Sequence, residues 1–294
     1  MHILITDSGV GGLSVCAYLE RYLRMQGASE PVRLSFVNAS PSNEAGYNAM
    51  GSRQEKVDYF DRFLRRVSDR YSPDLIYVAC NTLSVLLADT GFAKAATMPV
   101  RGIVETGGQR LLHELEQSPD STAVIFATVT TIAERAYPKL LLQHGIDPGR
   151  IISQACPNLA DVISEDRQGA LAQERIDHFV QAALSQSAGK AKTYLAYMGC
   201  THYGYRKEMF QSAFDKLGAQ VVMLNPNELV LSDLLPQGWR STARQAGVGD
   251  IAVEFVTRYR IPEAALETIS FFLNPVSPKT IAAFTHYTYA PELF

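Results

Sequence analysis

Two cysteines, Cys80 and Cys200, lie in matching positions in the sequence. Each closes a short apolar run rich in β-forming side chains, and each is followed by a segment with helical spacing. The sequence therefore predicts that both thiols lie where a buried strand gives way to a helix, which is where open α/β sheets bind ligands. The chain between them has about the length of one domain, so we expect one thiol from each half of the protein.

Two thiols that face one ligand could move protons on opposite sides of a carbon atom. Inverting a stereocentre requires a base on one face and an acid on the other, and a histidine or a helix N-terminus can lower a thiol pKa towards neutrality. We expect His202 to supply a cation or a proton beside Cys200. Asp7 is expected to position Cys80 or accept its proton, while its negative charge by itself raises the pKa of that thiol.

Other interpretations of these cysteines remain open. Cys200 and His202 resemble half of a zinc site, although no second pair of ligands lies close in the sequence. The same two residues could form a nucleophile that attacks a carbonyl, which leaves the matching position of Cys80 unexplained. Buried cysteines are often only packing residues, and we predict this for Cys16 and Cys156.

A glycine-rich turn follows the first predicted strand, over residues 7–12. It differs from a dinucleotide-binding motif because Ser14 stands where that motif needs a glycine. We expect its glycines to allow close backbone approach to an anion, which a substrate carboxylate satisfies as well as a phosphate. In the alternative interpretation, Asp7 or Ser8 simply caps the following helix.

The composition narrows the classes of partner. A net charge of −3 and a pI near 6.1 do not provide the clustered cations that nucleic-acid binding requires, so we expect small-molecule partners. The sequence shows neither a signal-peptide pattern nor an apolar run that could span a bilayer, so a cytoplasmic location without membrane contact is expected. The four cysteines lack CxxC spacing and are expected to be reduced thiols.

Predicted helices and strands alternate along the chain. This pattern predicts an α/β fold with parallel sheets, repeated twice, with a boundary near residue 96 where the pattern restarts. The strand 122–127 is predicted to end at Thr128, the strand 100–104 to end in the loop 105–108, which contains Gly107 and Gly108, and a helix to run from Cys80 to about Gly91. The loop 38–51 is too long for a bare connector and is predicted to carry function. Aromatic residues in a C-terminal tail, 274–294, predict that the tail packs against the rest of the protein.

Four segments resemble the cofactor-independent aspartate/glutamate racemases: residues 7–15, 79–82, 102–105 and 199–203. A weaker similarity at 253–257 extends the resemblance to about residue 273. The resemblance implies two pseudosymmetric three-layer α/β domains with mainly parallel sheets and an active site in the interdomain cleft. Residues 1–96 plus 206–273 would form the first domain and residues 97–205 the second.

The resemblance also implies a set of functional residues. Cys80 and Cys200 would be the acid/base thiols, assisted by Asp7 and His202. The implied substrate-binding residues are Ser8, Tyr47, Asn81, Thr82, Thr128, Thr131 and Thr201. The family uses neither a metal nor a cofactor, acts on an amino acid or a related carboxylic acid, supplies a peptidoglycan precursor, and contains many homodimers.

The chain departs from the family pattern along the expected substrate walls. Asn38 replaces an aspartate, Asn225 replaces another, and only Tyr47 remains of a Pro-Tyr-Gly triplet. These changes leave the substrate open, with L-glutamate as the first candidate for racemisation. The alternatives are a related cysteine-dependent isomerase, a hydantoin-type racemase or a decarboxylase acting on another small acid, or a catalytically silent binding protein.

Overall fold

Two parallel sheets organise the chain, which confirms the predicted α/β class. The computed structural model describes residues 1–27, 30–42, 46–187, 192–229, 234–235 and 250–293. In chain order the described strands are β1 (His2–Asp7), β2 (Val32–Asn38), β3 (Leu75–Val78), β4 (Val100–Gly102), β5 (Ser121–Ala127), β6 (Ile151–Ala155), β7 (Thr193–Gly199), β8 (Val221–Leu224), β9 (Ile251–Thr257) and β10 (Thr288–Tyr289). The described helices are α1 (Leu13–Gln26), α2 (Arg53–Tyr71), α3 (Asn81–Ser84), α4 (Gly91–Ala95), α5 (Ile103–Gln117), α6 (Val129–Glu134), α7 (Ala136–Gln143), α8 (Leu159–Glu165), α9 (Ala170–Leu184), α10 (Lys207–Lys216), α11 (Pro226–Leu229), α12 (Glu263–Leu273) and α13 (Pro278–Thr285).

Each sheet has one topological switch point, where two connections of the chain lead to opposite sides of the same strand. The first sheet has the order β10-β9-β2-β1-β3-β4 and the second the order β6-β5-β7-β8. The chain leaves β1 to one side to form β2 and returns on the other side to form β3, and β5, β6 and β7 repeat this arrangement. In open parallel sheets the crevice outside such a switch point is where ligands bind. The carboxyl ends of β1, β3, β5 and β7 are therefore the places to look for a site.

Both faces of each sheet are covered by helices, so each unit has three layers. Ile3 and Ile5 belong to the apolar cluster that α1, α12 and α13 share, whereas Leu4 points to the opposite face and packs with residues of α2. In the second sheet, α9 and α10 pack on one face and α5 and α7 on the other. Strands buried on both faces need continuous apolar runs, which explains why they were recognisable in the sequence.

Two strands pair with a different sheet from the one that the predicted domain bounds suggest. The domain bounds themselves stay a prediction. Strand β4 lies after residue 97 but pairs with β3 in the first sheet. Strand β8 lies within 206–273 but pairs with β7 in the second sheet. The chain thus completes the second sheet with β8 and returns to the first sheet with β9, which pairs with β2.

The segment after β4 differs from the sequence prediction. A strand over 100–104 followed by a loop at 105–108 was expected, but the strand ends at Gly102 and α5 begins at Ile103. The glycines of this segment serve close packing and not a turn, since a Cβ atom at Gly107 would lie 2.1 Å from the hydroxyl oxygen of Tyr197. The long helix expected after Cys80 is also wrong, because a 3-10 turn at Leu87–Asp89 separates α3 from α4.

The C-terminal tail packs against the first sheet, as predicted. Phe284, on helix α13, is buried in the apolar cluster on one face of the sheet. Strand β10 extends the sheet by pairing with β9. Ala290 and Leu293 are buried in the cluster on the other face. Phe294 and most of the loop 237–250 lie outside the described residues. Among the described helices, none combines the length and the apolar character that crossing a membrane requires.

Candidate active site

The ends of the central strands bring most of the predicted site residues together. Asp7 and Ser8 end β1, Cys80 follows β3 and Cys200 follows β7. The remaining predicted residues lie beside these or on facing segments: Tyr47, Asn81, Thr82, Thr128, Thr131, Thr201 and His202. The thiols are almost completely covered, with Cys80 6% and Cys200 7% exposed. Neither is bound in a disulfide.

Cys80 shares a hydrogen bond of 3.1 Å with the hydroxyl oxygen of Ser8. Burial, with a smaller contribution from the negative charge of Asp7, raises the pKa of its thiol to about 12. The predicted direction of the Asp7 effect is therefore confirmed. The expectation of a thiol pKa lowered towards neutrality is wrong for Cys80, because the cost of placing a thiolate in a buried site exceeds the help of its hydrogen bonds.

Asp7 connects the two halves of the site. One carboxylate oxygen accepts a hydrogen bond from the backbone N–H of Gly9 at 2.9 Å, and the other accepts from the hydroxyl of Thr201 at 2.9 Å. Burial raises the pKa of Asp7 to about 6, although these hydrogen bonds act in the opposite direction. Helix α1 begins after Gly12, so neither Asp7 nor Ser8 is its N-cap residue and the simple capping interpretation is wrong.

His202 lies beside Cys200 as a neutral imidazole. The Nδ1 atom of His202 is 3.8 Å from the sulfur of Cys200, and burial lowers the pKa of the imidazole to about 4. The expectation that His202 provides a cation near neutral pH is therefore wrong, because burial disfavours the charged form. A neutral imidazole can instead accept the thiol proton. Burial also raises the pKa of Cys200 well above its usual value, with smaller contributions from Asp7 and Cys80.

Glycines in the turn after β1 let these groups approach one another. A Cβ atom at Gly11 would lie 2.5 Å from both the Nδ1 atom of His202 and the hydroxyl oxygen of Thr201. A Cβ atom at Gly12 would lie 2.7 Å from a carboxylate oxygen of Asp7. These glycines therefore make room for side chains of the site itself, and the expected approach of their backbone to a bound anion stays a prediction.

Three threonine hydroxyls meet across the site. Thr82, from the first half, lies 2.9 Å from the hydroxyl oxygen of Thr128 and 3.4 Å from that of Thr131, and the last two are 3.0 Å apart. Thr128 also caps α6, since its side chain accepts a hydrogen bond from the backbone N–H of Thr131. The cluster offers several hydroxyl donors to an oxygen-rich ligand.

Two further predicted residues carry buried polar atoms without a partner among the described residues, the hydroxyl of Tyr47 and the side-chain nitrogen of Asn81. Burial raises the pKa of Tyr47, with smaller contributions from Tyr59 and Cys80, and Tyr47 lies in the same apolar cluster as Cys80. The Tyr47 ring packs edge-on against Tyr59 at 5.7 Å between centroids, and Arg258 donates to the Tyr59 hydroxyl at 3.1 Å. Native proteins rarely leave buried donors unpaired, so both atoms are suited to meet a ligand.

The sequence did not predict several residues that form hydrogen bonds to the site residues and to the backbone around them. Tyr205 donates from its hydroxyl to the backbone carbonyl of Gly11 at 3.1 Å, and Asn227 donates to the carbonyl of Thr201 at 2.8 Å. Tyr137 donates to the side-chain oxygen of Asn81. In the sequence these residues look like ordinary core or turn residues, and no local signal indicates their contacts. Within the described ranges, no group of three or more His, Cys, Asp or Glu side chains is arranged to hold a metal ion.

Known glutamate racemases align with most of the chain. The enzyme from Aquifex pyrophilus is 27% identical over 209 residues, which cover 71% of this chain and 73% of the relative. The enzyme from Chlorobaculum parvum is 25% identical over 266 residues, covering 87% and 90%. The chain is therefore similar in sequence to glutamate racemases. No protein-family model matches it.

Solved glutamate racemase structures share the fold of this chain. A glutamate racemase from Campylobacter jejuni superposes with a TM-score of 0.68 at 19% identity, covering 93% of this chain and 98% of the other. An isoform from Bacillus anthracis gives 0.68 at 22% identity, covering 92% and 93%. In this chain, Asp7 contacts Thr201 and Ser8 contacts Cys80, so residues that are far apart in the sequence meet in the site.

Proposed function

We propose that the chain is an isomerase that racemises an amino acid, with Cys80 and Cys200 as the opposed acid and base and glutamate as the first substrate to test. One observation supports this more than any other. The two thiols follow equivalent strands of two sheets, and Asp7 influences the pKa of both, as Cys80 does that of Cys200. This shared influence supports a single site that contains both sulfurs and the carboxylate.

The proposed reaction transfers two protons and leaves no net change in oxidation state. A thiolate on one side removes the α-proton, so the electrons of the C–H bond remain on carbon as a carbanion. The opposite thiol then donates its proton to the other face of that carbon. The configuration is inverted, and the thiol and thiolate have exchanged states, which allows the reaction to run in either direction.

Forming the thiolate depends on the surrounding groups and on the substrate. Asp7 and the neutral imidazole of His202 are the neighbouring acceptors for a thiol proton, but the raised pKa of both thiols makes that transfer unfavourable without substrate. The ammonium group of an amino acid introduces a positive charge, which favours a thiolate in a buried site. Asn81, the three clustered threonines and Ser8 offer donors that would hold the carboxylates of the substrate.

Isotope exchange tests the proposal. Incubating the protein with L-glutamate in heavy water is expected to give deuterium at the α-carbon together with loss of optical activity. Glutamate, aspartate and related acids should be tested in parallel, because Asn38 uses its side-chain oxygen to accept from Ser40 at 2.8 Å and changes one wall of the expected pocket. Absence of both signals with every acid would reject the racemase assignment.

Substitutions separate the two-thiol mechanism from its alternatives. Cys80→Ser and Cys200→Ser are each expected to abolish racemisation, whereas Cys16→Ala, a fully buried thiol in α1, is the matched control and should retain it. Racemisation that persists in either site variant would contradict the two-thiol assignment. A covalent adduct trapped on one cysteine would instead support nucleophilic chemistry.

A further inference from the structure

A line of three buried polar side chains leads from the second sheet into the candidate site. Tyr197, on β7, donates from its hydroxyl to the hydroxyl oxygen of Tyr137, on α7, at 3.2 Å. Tyr137 in turn donates to the side-chain oxygen of Asn81, which opens α3 beside Cys80. The three side chains are 0%, 2% and 2% exposed. The contact between Tyr137 and Asn81 therefore joins the two halves of the protein inside a region closed to water.

Counting the hydrogens fixes the direction of each bond. Burial raises the pKa of both tyrosines, so each is a neutral hydroxyl with one hydrogen to donate. Within the described residues, the Tyr197 hydroxyl forms its hydrogen bond with the Tyr137 hydroxyl, so the Tyr197 hydrogen points to Tyr137. The hydrogen of Tyr137 is then free to point to Asn81, whose oxygen accepts it. In the opposite arrangement the Tyr197 hydrogen would be buried without an acceptor, which is unfavourable.

The packing around Tyr197 fits this arrangement closely. A Cβ atom at residue 107 would lie 2.1 Å from the hydroxyl oxygen of Tyr197, so only glycine leaves room for that hydroxyl. The rings of Tyr137 and Tyr197 are 4.8 Å apart between centroids, which restricts the movement of both. The hydroxyl of Tyr137 is thus held in place both by its neighbour's ring and by its neighbour's hydrogen bond.

The consequence is an amide that can face in only one direction. With its oxygen engaged by Tyr137, Asn81 must present its nitrogen on the other side, and that nitrogen is buried without a partner among the described residues. Asn81 lies directly between Cys80 and Thr82, a member of the threonine cluster. Its two N–H hydrogens are therefore available to a ligand oxygen that would complete their bonding.

We propose that Tyr137 is a positioning residue that fixes the Asn81 amide with its nitrogen towards the substrate carboxylate, and that Tyr197 supports it. The inference depends on the proposed function for the identity of the ligand. Tyr137 itself does not touch the reacting atoms. Its contribution is to prevent the amide from rotating and presenting its oxygen, which would repel a carboxylate.

Steady-state kinetics of L-glutamate racemisation test the inference. Tyr137→Phe keeps the ring and removes the hydroxyl, so the amide can rotate, and KM is expected to rise about tenfold, the range for a hydrogen bond to a charged group. The kcat value should change much less, because the contact holds substrate and transition state alike. Tyr197→Phe should give a smaller rise, since Tyr137 can still donate. Tyr194→Phe, a buried tyrosine on the same strand, is the control and should leave KM unchanged.

A double variant separates positioning from a general packing effect. In an Asn81→Ala background, Tyr137→Phe should cause no further rise in KM, because no amide remains to be oriented. An additional rise of the same size as in the wild-type background would overturn the inference, and so would an unchanged KM in the Tyr137→Phe single variant.

Ligand binding distinguishes this inference from the proposed function. If the wild-type protein binds L-glutamate, D-glutamate or L-aspartate in a calorimeter but does not racemise it, the proposed function fails. The positioning role would still be supported if the wild type binds the acid most tightly, Tyr197→Phe binds it less tightly and Tyr137→Phe binds it least tightly. Equal affinities would overturn that role, and a protein that neither binds nor converts any of these acids would overturn both.

Discussion

Replacing Gly11 with alanine is the most direct test of how closely the site is packed. The added Cβ atom would lie 2.5 Å from the Nδ1 atom of His202 and 2.5 Å from the hydroxyl oxygen of Thr201, whereas ordinary contacts begin at about 3.4 Å. Either the two side chains or the turn must move by about 0.9 Å. Thr201 donates to Asp7 and His202 lies beside Cys200, so the displacement reaches both sides of the site.

The expected loss is large in activity and smaller in stability. Misplacing a catalytic group by about 1 Å typically costs about 100-fold in rate. Overfilling a packed region costs about 1–3 kcal/mol in the free energy of unfolding. Gly11→Ala should therefore lower kcat for glutamate racemisation by about 100-fold while the protein stays folded.

Gly51→Ala provides the matched control, because a Cβ atom there would lie at an ordinary 3.6 Å from a carboxylate oxygen of Glu55. Both variants should be compared by turnover, with folding checked by urea titration. A folded Gly11→Ala protein whose kcat stays within about threefold of the control would refute the reasoning. His202 and Thr201 would then not need the positions described above.

Three further outcomes follow from burial and charge. The pKa of Asp7 rises from 3.8 to about 6 on folding, so the folded protein binds the proton more tightly than the unfolded chain. The wild type should therefore lose about 3 kcal/mol of unfolding free energy relative to Asp7→Asn as the pH rises from about 4 to 7. Parallel pH profiles of the two proteins in urea titrations would contradict this. Leu293→Ala removes a buried side chain from the cluster that includes Tyr47, so it should cost about 2–5 kcal/mol in unfolding free energy and also raise KM. Arg53→Gln breaks ion pairs with Asp89 and Glu134, but the arginine is 46% exposed, so the cost in a denaturant titration should stay within about 1 kcal/mol.

The sequence was sufficient to predict the strands that support the site. Buried parallel strands appear as short apolar runs bounded by small polar residues, which is why Cys80, Cys200 and Thr128 could each be assigned to a strand end. Because parallel strands end at the same edge, these residues could be expected to lie together before any coordinates were known. The two-sheet architecture follows from the same alternation of strands and helices.

The contacts between distant segments could not be predicted. Asp7 bonds to Thr201, and Tyr137 bonds to Asn81, but nothing in the local sequence of either pair indicates its partner. Gly107 was interpreted as the end of a strand, since a pair of glycines usually marks a turn. Its actual role, to make room for a tyrosine hydroxyl on a neighbouring strand, depends on tertiary packing alone.

The charge states of the site residues were the least predictable feature. A histidine two residues from a cysteine indicates a possible cation, yet burial keeps His202 neutral above a pH of about 4. The depth at which a group is buried depends on how the whole chain packs around it, so the sequence shows the neighbour but not the environment. The effect of Asp7 on Cys80 was predictable because the sign of a charge interaction does not depend on depth.

Burial also determines which step the substrate must assist. Burial raises the pKa of Cys80 to about 12 and that of Asp7 to about 6, so moving the thiol proton to the carboxylate is unfavourable without a bound substrate. A substrate ammonium lowers this cost because it stabilises the thiolate, and it does so only when the substrate is bound. The thiols are thereby kept in the form that resists oxidation and alkylation until there is a proton to transfer.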